Sequence, residues 1–69
     1  MNPKAQKAYD TAVEIAKEIY TRAHGIRVEE HSNARKYMLG CISTLYTLDL
    51  INDEEYDALC KDYKEKFPY

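Results

Sequence analysis

The sequence predicts an all-α fold, a small three-helix bundle with an antiparallel helix 2/helix 3 hairpin, on the strength of three observations. Apolar residues recur at helical spacing in three separate stretches, and two Asn residues stand where helix caps belong. Hydrophobic residues make up 45% and charged residues 32%, with only two Gly and two Pro in 69 residues, so the chain is neither disordered nor fibrous in character. A chain of this length buries only roughly 60% of the surface that its unfolded form exposes. Residues 1–69 are therefore read as a single helical domain with one modest core.

Asn2 followed by Pro3 opens helix 1, because Asn can cap free backbone donors and Pro at the first helical position has no N–H to lose. Ala5, Tyr9, Ala12, Ala16, Ile19 and Ala23 alternate at intervals of four and three, widened by Ala8, Val13, Ile15 and Tyr20. Helix 1 is expected from about 3 to 23. Its alanine-rich seam permits close approach by a neighbour, and Gly25 suits a left-handed cap. Residues 24–32 lack a helical period and read as a connection, with strand a weaker alternative.

Ser32 or Asn33 is the expected cap of helix 2, which is placed at about 33–49. Ala34, Met38, Cys41, Leu45 and Leu48 form one stripe, joined by Tyr37. Arg35, Leu39, Ile42 and Tyr46 form another about 100° or more around the axis. From Tyr37 to Leu48 there is no charge, and Gly40, Ser43, Thr44 and Thr47 are small. A helix that is apolar on more than one side is central to its protein or part of an interface.

Asn52 with Glu55 makes a capping box, and Ile51 with Tyr56 has staple spacing, so helix 3 is expected at about 53–67. Its stripe of Tyr56, Leu59, Cys60, Tyr63 and Phe67 packs on one side only. A short turn centred between Leu50 and Ile51 brings Leu45 level with Tyr56, Ile42 with Leu59, Met38 with Tyr63 and Ala34 with Phe67. The same register predicts Cys41 and Cys60 side by side in the hairpin interior.

The segment LYTLDLINDEEYDALCKDY, residues 45–63, resembles the short C-terminal helical hairpin known as SHOCT. Leu50, Ile51, Asn52, Asp53, Glu54, Glu55 and Tyr56 fit its pattern, with Tyr in place of the usual Phe and Asp49 in place of the usual Gly. The resemblance covers less than a third of the chain. It implies an oligomerising or partner-docking module and brings no catalytic residue.

Several kinds of chemistry are disfavoured. A net charge of −2 and ten scattered Lys and Arg argue against a phosphate-backbone footprint. No apolar run approaches the ~20 residues of a membrane span, and MNPKAQKAYD lacks the apolar core of a secretory signal, so a cytoplasmic protein is expected. Two cysteines are too few for a disulfide scaffold. His24, His31, Cys41 and Cys60 lack the paired spacing of a zinc site. No metal, cofactor or catalytic set is expected.

What remains is a binding protein. The expected partner-binding residues are Tyr20, Tyr37, Leu39, Ile42 and Tyr46, since Tyr is enriched at interfaces and helix 2 offers a second apolar face. Arg22, Arg27, Arg35 and Lys36 form the one basic patch, a candidate for weak nucleic-acid contact. Asp49, Asp53, Glu54, Glu55 and Asp57 suit a helix N-terminus and alternatively form an acidic knob for a basic protein surface. The expected function is an adaptor, inhibitor or homo-oligomerising regulator, of a kind that a phage or plasmid encodes against a host nucleic-acid machine. Its expected partner is another protein or a second copy.

Overall fold

Asn2 accepts the Lys4 N–H at 2.8 Å through its side chain and the Gln6 N–H at 2.9 Å through its carbonyl, which starts the first helix where the Asn-Pro pair predicts. The computed structural model describes residues 1–22 and 28–68, with the side chains of 28–31 left aside. Helix α1 spans Pro3–Arg22, α2 Val28–Thr47 and α3 Asp53–Lys66. The chain is a three-helix, all-α bundle measuring 36 × 18 × 16 Å, its long dimension set by the two 20-residue helices.

Helix α2 begins five residues before the expected 33. Ser32 and Asn33 therefore sit inside a helix rather than capping it. Their propensity penalty is only a few tenths of a kcal/mol each, easily outweighed when flanking Glu residues and the packed Ala34 turn favour helix. The expected cap at Gly25 falls outside the described residues.

At its other end α2 stops at Thr47, two residues short of the expectation. Asp49 adopts φ 59°, and the Leu50 N–H donates to the Leu45 carbonyl at 2.9 Å while the Asp49 N–H donates to Tyr46 at 3.0 Å. This is a Schellman cap, closed by the apolar pair Leu45 and Leu50. Asn52 then receives the Glu55 N–H at 2.8 Å, and Glu55 receives the Asn52 N–H at 2.9 Å, completing the expected capping box.

The core unites Ala5, Tyr9, Ala12, Val13 and Ala16 of α1 with Ala34, Met38, Ile42 and Leu45 of α2 and Leu59, Tyr63 and Phe67 from the third helix and its cap. All four of the expected apolar layers of the α2/α3 hairpin lie within this cluster or against it. The cysteines lie at the edge of the core. Both are free and half-buried, and Cys41 turns its Sγ toward the Ala8 carbonyl of α1 at 3.9 Å rather than toward α3. An alanine-lined α1 lies close enough for a small side chain on α2 to reach its backbone.

Two of the polar devices that join the helices fix α3 against its neighbours. The Tyr9 hydroxyl, on a residue only 3% exposed, donates to Asp62 at 2.5 Å, and Lys66 donates to the same carboxylate oxygen at 2.6 Å. Burial first, and then Asp62, pushes the Tyr9 phenol above its usual range. The bonds from Lys66 and Tyr9 hold the Asp62 carboxyl below its ordinary value. The second device is Arg35, whose Nε donates to the Phe67 carbonyl at 2.7 Å and whose Nη2 donates to the Lys64 carbonyl at 3.3 Å. A guanidinium on these carbonyls completes the C-terminus of α3.

Two tests follow from these contacts. Because the folded-state pKa of Asp62 is depressed, its contribution is present above the unfolded value near ~4 and disappears as pH falls through the folded value. Denaturation titrations across the acid range should show a shallower loss of stability in Asp62→Asn, and Tyr9→Phe should cost about 1 kcal/mol at neutral pH. Arg35→Met should cost about 1 to 2 kcal/mol in chemical denaturation, most of it as earlier fraying of α3 seen by amide exchange.

Candidate functional site: the outer face of α2

The second stripe of α2 divides. Ile42 is 0% exposed and belongs to the core, so its expected role in partner binding is corrected. Leu39 and Tyr46, its companions in the sequence pattern, remain 39% and 43% exposed. The reason is the placement of α3. It reaches Tyr46 only from its first turns, through Asp53 and Tyr56, and leaves that ring and Leu39 partly open.

Tyr20 is half-buried and is also engaged within the chain. Its hydroxyl donates to the Pro68 carbonyl at 2.6 Å and its ring meets Phe67 edge-on at 5.6 Å, so it ties the C-terminal segment to α1. Tyr37 stays 40% exposed on α2. Leu48, which the periodicity assigns to the core stripe, is the most exposed large apolar residue described, at 62%. The helix ends one residue before it, and the left-handed step at Asp49 directs Leu50 inward in its place.

Between α1 and α2 the exposed residues shape an open groove of about 660 Å³. Ala8 forms one wall, Tyr37, Gly40, Cys41, Thr44 and Leu48 form the other, and Leu50 closes the foot. Lys36 stands at the head. A Cβ added to Gly40 would meet no atom within 4 Å. Burial pushes the Cys41 thiol up, so it is a packing group on the groove floor rather than an activated nucleophile.

On the other flank of α2 a second cleft, about 450 Å³, is lined by Ser43, Tyr46, Thr47, Asp53, Tyr56 and Asp57. Tyr46 donates to Asp53 at 2.5 Å and meets the Tyr56 ring edge-on at 5.2 Å. The hydrogen bond to Asp53 raises the Tyr46 phenol. Of the expected acidic knob, Glu55 is taken up by the capping box and lies 3.7 Å from the N-terminal ammonium, while Asp49, Asp53, Glu54 and Asp57 are exposed.

The basic patch does not assemble among the described residues. Arg35 is spent on α3, Arg22 is exposed at the end of α1, Lys36 borders the groove, and Arg27 lies outside the described residues. His24 and Tyr69 also lie outside them, as does the side chain of His31. Among the described residues no three His, Cys, Asp or Glu side chains come together in a way that would hold a metal ion. No helix among them is long and apolar enough to cross a membrane. Compared with known protein families, curated proteins and solved structures, the chain matches none.

The sequence reading places Leu48 in the core stripe and Gly40 among the small residues of α2, and includes neither among the expected partner-binding residues. The available signal was the uncharged run itself, in which Gly40 and Thr44 line the groove while Ser43 and Thr47 line the cleft beside α3. Since Gly40 has open space beside it, Gly40→Ala should stabilise the fold by about 0.5 to 1 kcal/mol, read as a higher denaturation midpoint at unchanged slope.

Proposed function

We propose that this chain is a non-enzymatic, cytoplasmic helical module that docks another protein chain on the outer face of α2, acting as an adaptor, inhibitor or homo-oligomerising regulator. The observation that carries this reading is the groove beside Gly40. It is uncharged from Tyr37 to Leu48 and leaves Tyr37 and Leu48 exposed along its wall. Large apolar residues gathered along a cleft mark an interaction surface, unlike the same residues scattered singly. The groove's shape suits an amphipathic helix laid along α2, with its apolar side chains over Gly40 and Thr44.

The chemistry of the remaining surface agrees. Cys41 is not activated, and Arg35, the best placed cation of the basic patch, serves the fold. The resemblance of residues 45–63 to SHOCT hairpins points in the same direction, toward docking or oligomerisation.

Affinity capture from a lysate of the source cells, run with the wild-type chain and with Leu48→Lys and Gly40→Arg, tests the reading. Both substitutions are at exposed positions and should leave the melting temperature within a few degrees. A bound protein retained through a salt series and lost at least tenfold with either variant is the expected result. Capture equal in all three chains, or binding that collapses steeply with salt as a phosphate contact does, overturns it.

A further inference from the structure

We draw no further inference here: the strongest candidate, the open groove between α1 and α2 beside Gly40, belongs to the docking face already described, and nothing in the structure shows what covers it.

Discussion

The turn from Thr47 to Asn52 is the constraint on which the rest of the bundle depends. Two backbone bonds fold the end of α2 back through the left-handed residue Asp49, and two more in the Asn52–Glu55 box launch α3 immediately afterwards. Little slack remains between them. Leu45, Leu50 and Ile51 are held together, and each later layer of the hairpin inherits its register from that point. A slip of one residue would rotate α3 by ~100° and take Leu59, Tyr63 and Phe67 off the core. It would also carry the carbonyls of Lys64 and Phe67 away from Arg35.

With the hairpin in place, α1 is set by size and by polar matching. Ala5, Ala12 and Ala16 let it lie against α2 closely enough for Cys41 to reach the Ala8 carbonyl. Tyr9 reaches α3 at Asp62, and Tyr20 reaches it past the helix end at Pro68, so the position on α3 advances as that on α1 advances. The two helices therefore run parallel, giving an up-down-up bundle. Tyrosine suits this work because its ring fills core volume while its hydroxyl reaches a partially wet edge. Tyr9 is thereby buried, and Tyr20 is left half-buried.

The arrangement leaves α2 covered on the sides facing α1 and α3 and open elsewhere. Three helices do not enclose a central helix that is apolar through most of its circumference. The exposed remainder, with Tyr37, Gly40, Thr44 and Leu48 along one wall, is a consequence of bundle size as much as of residue choice. A fourth helix of matching shape would complete the packing. Among the described residues no fourth helix does so, which connects the fold to the proposed docking role.

The local signals were legible in the residue order, because caps, staples and periodicity depend on neighbours a few positions apart. The starts of α1 and α3, the apolar layers of the hairpin and the alanine seam all follow from Asn2-Pro3, from Asn52 with Glu55, and from spacings of three and four. The start of α2 was not legible in this way, since Ser32 and Asn33 carry the chemistry of caps and only the packed context makes them helical. The division of the second stripe was decided by tertiary structure alone. Ile42 and Tyr46 share a stripe and differ by only ~40° around the helix, yet α3 buries one and leaves the other exposed. Arg35 was equally undetermined, because a cation's role depends on which carbonyls a distant helix end brings to it. Sequence sets what each helix can offer; the position of its neighbours sets which part of that offer remains outside.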